Sequence, residues 1–342
     1  MESKTAKLKE RNYSIDYVKL VACISVIAVH FRLNLIELIP LDTFGPTTSF
    51  SLAVIYQFFI TCVPLFLIST GFLTYGKSYS ISYYKRIMKF FSLYVLCSLV
   101  TYFVMNRYFG KVLPILDIVK AIEFYNLIPY SWYIEMYLGF ALIIPFLGLL
   151  MERVDKNEAF YFLVTLLFLV SLPLLINSNP KLNSYIHLPA SWTSLFPFVY
   201  YVIGAIIKKY YQEIKLKSSQ VTFLMGIYFL VIMLGIYINY INATPMVGGA
   251  EGGYGSLIIV VQSTSLFLLI SHFFKSKNSF VAHISKLTLP IYLMSYLVDQ
   301  IVYRLFINLL GNPKSLFFFL YSYSYMCLYT ECIICIHSKL YK

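Results

Sequence analysis

The sequence predicts an all-α polytopic membrane protein with about ten transmembrane helices and both termini cytoplasmic. Three observations predict it. The 342-residue chain is 59% hydrophobic and only 12% charged, whereas a soluble domain carries about 25% charged residues. Its apolar residues gather in stretches of roughly 20, the length a helix needs to cross a bilayer. Its lysines and arginines fall mostly on one side of the alternation that those stretches define.

In chain order the stretches are 13–34, 51–75, 88–108, 131–151, 159–177, 193–209, 221–241, 255–274, 286–307 and 315–337. The first follows Glu10 and Arg11 and ends without a small-residue cleavage site, so it is expected to be a retained helix rather than a signal peptide. Gly76 to Lys89 is the inner connection into the third. The fourth is entered from outside through Pro129-Tyr130-Ser131-Trp132-Tyr133-Ile134-Glu135. The sixth is short, and Pro197 interrupts its start. Asn242 to Gly255 is an outer loop rich in glycine, with Glu251 as its only charge.

With a cytoplasmic N-terminus, the inner segments hold nineteen basic residues: four in Lys4–Arg11, four in Lys77–Lys89, Arg153 and Lys156, four in Lys208–Lys217, three in Lys275–Lys286, and Lys339 and Lys342. The outer side holds seven: Arg32, Arg107, Lys111, Lys120, Lys181, Arg304 and Lys314. The net charge of +12 is therefore mostly a topology signal, and with no basic soluble domain nucleic-acid binding is not expected. Residues 1–342 are read as a single transmembrane domain in the cell (plasma or inner) membrane. The six cysteines, including the Cys332-x-x-Cys335 pair, read as small packing residues, and no metal is expected. The 32 tyrosines and 29 phenylalanines suit interface belts and helix packing. No strong internal repeat stands out, which disfavours a transporter built from two similar halves.

The first helix carries the sharpest chemistry. Asp16, Lys19 and His30 are spaced by three and eleven residues. At ~100° per residue, eleven residues return to within about 20° of the starting face, so Lys19 and His30 share a face roughly 16 Å apart, with Asp16 one turn below Lys19. Ionisable residues at membrane depth are costly and mark functional positions by default. A structural reading stands beside this one: an i,i+3 ion pair and a histidine hydrogen-bonded between helices. Arg86 and Lys89, one turn apart, likewise read either as positive-inside anchors or as a polyphosphate grip. Trp132, Tyr133 and Glu135 read either as belt residues or as a dock for a sugar. His187, His272, His283 and His337 have no assigned role.

Four stretches together carry a family resemblance. They are Ile15-Asp16-Tyr17-Val18-Lys19 through His30; Tyr84-Lys85-Arg86-Ile87-Met88-Lys89; Ser131-Trp132-Tyr133-Ile134-Glu135-Met136-Tyr137 through Ile144-Pro145; and Leu195-Phe196-Pro197-Phe198-Val199-Tyr200-Tyr201-Val202-Ile203-Gly204. In this combination the chain resembles the acyltransferase 3 family, polytopic membrane proteins that mostly O-acetylate bacterial surface carbohydrates. Thr288-Leu289-Pro290-Ile291-Tyr292-Leu293-Met294-Ser295 extends the likeness. Three positions depart from the family pattern: Lys19 and Lys89 stand where arginine is common, and Ser295 where a histidine often follows.

The resemblance implies a membrane O-acyltransferase. It would move an acyl group, expected to be acetyl, from cytoplasmic acetyl-coenzyme A to a hydroxyl of a surface polysaccharide or its lipid-linked precursor. His30 would be the general base, with Lys19 on the same face of the helix and Asp16 orienting Lys19. Lys19, Arg86 and Lys89 would hold the donor, and Trp132, Tyr133 and Glu135 the acceptor. The rival is a polysaccharide exporter or flippase, or another transporter, which would need a wide polar path and no acyl donor.

Overall fold

The structure, a computed structural model, describes residues 11–38, 45–78, 80–110, 112–211, 215–242 and 249–310. Every regular element among them is helical. They are α1 (Tyr13–Leu38), α2 (Pro46–Phe59), α3 (Cys62–Thr74), α4 (Ile81–Phe109), α5 (Ile115–Glu123), α6 (Trp132–Arg153), α7 (Lys156–Leu166), α8 (Leu172–Asn177), α9 (Ala190–Thr193), α10 (Phe196–Tyr210), α11 (Ser218–Ile241), α12 (Leu257–Phe273) and α13 (Ser279–Leu310).

Among the described residues, seven helical spans are long and apolar enough to cross a membrane: Tyr13–Asn34, Pro46–Thr74, Ile81–Phe109, Pro129–Arg153, Lys156–Asn177, Ser218–Ile241 and Ser279–Tyr303. The expected sixth and eighth stretches form α10 and α12, which are helical but only 15 and 17 residues long. At 1.5 Å per residue they reach about 22 and 26 Å, short of a ~30 Å core. The stretch 315–337 lies outside the described residues. Two spans are irregular. Pro46–Thr74 breaks between α2 and α3 at Ile60–Thr61, and a π-turn at Leu167–Ser171 joins α7 to α8.

The chain divides into two compact units: Met1–Lys77 with Gly148–Lys286, and Ser78–Leu147 with Leu287–Lys342. In the first unit, α3 and α10 cross in backbone contact. A Cβ on Gly71 would collide with the Tyr201 carbonyl, and one on Gly204 with the Ile68 carbonyl. Close approach on small residues is how membrane helices gain packing energy, because lipid and side chains are equally apolar. Deeper in this unit, the Gln57 amide donates to Gln262 Oε1 at 3.1 Å and the Gln262 amide returns to the Gln57 carbonyl at 2.6 Å, joining α2 to α12.

Polar contacts mark the two ends of the first unit. At one end the Tyr17 and Phe274 rings meet at 5.1 Å, and the Lys208 ammonium stands 4.9 Å over Phe72. Lys209 Nζ donates to the carbonyls of Met151, Glu152 and Val154 at 2.8, 3.1 and 2.5 Å, closing the C-terminal end of α6 with a cation. At the other end, the glycine-rich loop turns Glu251 inward. Its carboxylate accepts from Asn239 Nδ2 at 2.6 Å, from the Gly249 N–H at 2.9 Å and from the Tyr56 hydroxyl at 3.3 Å. The Arg32 guanidinium lies 4.0 Å over the Tyr56 ring.

In the second unit, α4 pairs with two successive elements. Tyr102 OH donates to the Leu113 carbonyl at 3.2 Å, and Tyr94 OH to the Ile122 carbonyl at 2.9 Å. Further along, the Phe90 and Tyr137 rings lie 5.0 Å apart, and Tyr83 OH donates to the Ala141 carbonyl at 2.6 Å. Thus α5 and then α6 run antiparallel to the same helix. Between them the chain unwinds at Phe124–Ile128 and forms a 3-10 turn at Pro129–Ser131. Tyr125 has φ 54°, and Ile128 is extended as the residue before a proline requires. The sequence reading places this stretch at the outer entry of the fourth helix. The candidate span Pro129–Arg153 begins at this turn, and just before it the Tyr125 ring stacks on Tyr94 at 5.1 Å.

Candidate functional site

The first unit contains Asp16, Lys19 and His30, all on α1. His30 is 7% exposed, and its carbonyl accepts from Asn34 Nδ2 at 2.9 Å, one turn on. Lys19 is half-buried. The Asp16 carboxylate is held by two groups: Arg11 pairs with it through Nε at 2.8 Å and Nη2 at 3.0 Å, and Ser285 Oγ donates to it at 2.5 Å. The bonded partners of Asp16 thus come from the residues before α1 and from α13, rather than from the neighbouring turn of its own helix. Arg11 Nη2 also donates to the Ala282 carbonyl at 2.9 Å, so the cluster fastens the start of α1 to the start of α13. The hydrogen bond to Asp16, and then its charge, raise the Arg11 guanidinium above its ordinary pKa.

Along α1 from this cluster to His30 is fourteen residues, about 21 Å. His30 therefore stands toward the end of the unit that holds Arg32, Tyr56 and Glu251. Arg32 is two residues on, about 200° around the helix, so the two side chains leave α1 on different faces.

The second unit contains the remaining predicted residues. Arg86 and Lys89 are exposed on α4, as is Lys85, and the Arg86 guanidinium lies 5.7 Å from the Tyr83 ring. The Phe90–Tyr137 and Tyr83–Ala141 contacts set these cations level with residues around 138–142, well along α6 from both of its ends. Trp132 is 38% exposed, Glu135 is exposed and Tyr133 is buried. Trp132 and Glu135 are three residues apart and share a helix face.

Two buried carboxylates have no place in the sequence reading. Asp299 on α13 is fully buried and accepts from Tyr130 OH at 2.7 Å. Its signal is available in the sequence: it is a lone carboxylate inside an apolar helix. Glu251 is visible as the only charge of its loop, but nothing local says that it folds inward toward Arg32. Among the described residues no cluster of histidine, cysteine, aspartate and glutamate is arranged to hold a metal.

A family model described as an acyltransferase domain, that of the acyltransferase 3 family, matches residues 12–330. The chain belongs to the acyltransferase 3 family. The match runs through residues of both compact units. This acyltransferase is all-helical among its described residues and carries several membrane-spanning helices, a multi-pass membrane protein. Comparisons with curated proteins and with solved structures return no match.

Proposed function

We propose that this acyltransferase transfers an acetyl group from cytoplasmic acetyl-coenzyme A to a hydroxyl of a surface polysaccharide or its lipid-linked precursor, at the outer face of the cell membrane. The observation that carries the reading is a buried histidine on a membrane-spanning helix of a chain matched almost end to end by an acyltransferase family. In the proposed step His30 accepts the proton of the acceptor hydroxyl. The oxygen attacks the thioester carbonyl, and the coenzyme thiolate leaves and takes up a proton. Histidine suits this role because its ordinary pKa lies near the operating pH.

Arg86 and Lys89 suit the donor phosphates: they are exposed, one turn apart, with Lys85 beside them. Lys19 is assigned to the donor as well, with Asp16 anchoring its end of α1. Lysine keeps the charge at residues 19 and 89 but offers a point contact rather than a fork. Trp132, Tyr133 and Glu135 are assigned to the acceptor.

The test uses purified protein in nanodiscs with radiolabelled acetyl-coenzyme A, together with vesicles loaded for glycan export. Wild type is expected to consume the donor in the presence of glycan. His30→Ala should lower that rate by about 10²–10⁴, the contribution of a general base, at unchanged abundance. A wild type that neither binds nor consumes acetyl-coenzyme A, yet moves glycan across vesicles, would establish the exporter instead.

A further inference from the structure

Loops normally run over the surface, because a buried one leaves backbone polar groups to satisfy. Residues 250–256 of the first unit do the opposite. Each of them is buried or half-buried, and Glu251 and Ser256 are fully buried. Their backbone is satisfied from within and from neighbouring helices. The Gly252 N–H donates to the Gly249 carbonyl at 2.9 Å, and the Ser256 N–H to the Gly253 carbonyl at 3.1 Å. Asn239 Oδ1 of α11 accepts from the Ala250 N–H at 3.1 Å, and the Tyr200 hydroxyl of α10 donates to the Tyr254 carbonyl.

Helices close on this segment from several sides. Gly252, at φ 95°, lies so near α8 that a Cβ would stand 2.5 Å from the Leu174 carbonyl. The Tyr254 ring stacks on Phe196 of α10 at 6.3 Å, and its hydroxyl lies 3.6 Å from the Cys62 sulfur of α3. Ala250 packs with Ile60, Ile238 and Ile259 in one apolar cluster. Glu251 is the polar fastening: Asn239 Nδ2, the Gly249 N–H and the Tyr56 hydroxyl all donate to it. Tyr56 in turn carries the Arg32 guanidinium on its ring at 4.0 Å, and Arg32 is two residues after the buried His30 on α1. The segment thus fills the end of the unit toward which His30 stands.

Acyl transfer to a hydroxyl has a competitor in water. A water oxygen can attack the thioester carbonyl as a sugar hydroxyl does: its proton goes to the base, the C–S bond breaks, the thiolate takes up a proton, and free acetic acid forms in place of an ester. Keeping bulk water from the reacting groups suppresses that side reaction. We propose that residues 250–256 are a water seal fastened by Glu251, which makes Glu251 a specificity-determining residue favouring transfer to a hydroxyl acceptor over hydrolysis of the acyl donor. The proposal rests on the acyltransferase reading for its chemistry, and the seal itself is tested without turnover.

Cys62 reports on the seal. It is 2% exposed against Tyr254 and can be kept as the single cysteine of a parent chain. In nanodiscs, a charged methanethiosulfonate is expected to react with it at least tenfold faster in Glu251→Gln and Asn239→Ala than in the parent. On the same samples, with radiolabelled acetyl-coenzyme A and glycan, the ratio of free acetate to transferred acetyl should rise at least tenfold in both variants. Glu251→Asp, which keeps the charge, should lie closer to the parent than Glu251→Gln in both measurements. A merely structural loss lowers transfer and hydrolysis together and leaves their ratio unchanged. Equal Cys62 reactivity in parent and variants, or an unchanged ratio, overturns the proposal. If Glu251→Gln does not yield monodisperse protein, Asn239→Ala decides alone. A parent that consumes no acetyl-coenzyme A with glycan present overturns the enzyme reading, and the Cys62 rates still decide the seal. A parent that transfers acetyl while its variants keep the parent's Cys62 rate and ratio loses the seal and keeps the enzyme.

Discussion

Arg86 and Lys89 illustrate how one pair of side chains answers to two demands. Cations at the start of a helix orient a membrane protein, and cations one turn apart also suit a polyphosphate. Replacing both with alanine separates the two. Each charge-assisted phosphate contact is worth roughly 1.5–3 kcal/mol, so losing two should weaken acetyl-coenzyme A binding at least tenfold at about 1.4 kcal/mol per decade. Membrane abundance is measured alongside, and unchanged binding at normal abundance would remove these residues from the donor site. Glu251 poses a different problem. It is fully buried with Tyr56 and Asn239, and Arg32 lies over the Tyr56 ring. Glu251→Gln removes the charge to which three groups donate and which acts on the nearby Arg32 guanidinium, and hydrogen bonds to a charged group are worth about 1.5–3 kcal/mol. A clear fall in the melting temperature of detergent-purified protein is expected, and a smaller one when Arg32→Leu is added. Neither role is legible from spacing. The α1 stripe is, because helical periodicity alone puts Lys19 and His30 on one face. The partners of Asp16 are not, because Ser285 lies 269 residues away.

At the scale of elements, glycine decides the tightest contact described. Gly71 and Gly204 let α3 and α10 cross with backbone against backbone. Gly204→Val drives a branched side chain into the Ile68 carbonyl, so the cost should reach or exceed the roughly 1–3 kcal/mol typical of overpacking. Fluorescence-detected size exclusion after heating would show it as a lower melting temperature, and wild-type stability would mean the crossing is looser than described. The same contact bears on α10, one of the two short helices that stand where full spans are expected. A helix clasped by its neighbours need not match the bilayer thickness by itself. Hydropathy cannot distinguish such a helix from a spanning one, nor does it show that Pro46–Thr74 is broken or that α7 reaches α8 through a π-turn.

For the whole molecule, sidedness is the measurable quantity. The distribution of basic residues predicts a cytoplasmic N-terminus. In a cysteine-free background, an impermeant maleimide added from outside should label Ser184→Cys and leave Ser82→Cys unlabelled until the membrane is opened. Both residues are exposed. Outside labelling at residue 82 would reverse the orientation, and the donor residues Arg86 and Lys89 with it.

Composition and period, by themselves, determined that this chain is a helical membrane protein, where most of its spans begin, and which face of α1 carries His30. These are local properties, fixed by the solvent each stretch requires and by 3.6 residues per turn. The acyltransferase family was also legible, because its motifs are short and contiguous. Tertiary structure alone decided that Asp16 is held by Arg11 and Ser285, that Glu251 turns inward, and that Tyr94 and Tyr292 hold the chain just before α6. Each depends on groups far apart in sequence meeting at one depth. Tyr94 and Tyr292, from two other helices, donate to the Ile122 and Tyr130 carbonyls, contacts that no local pattern announces.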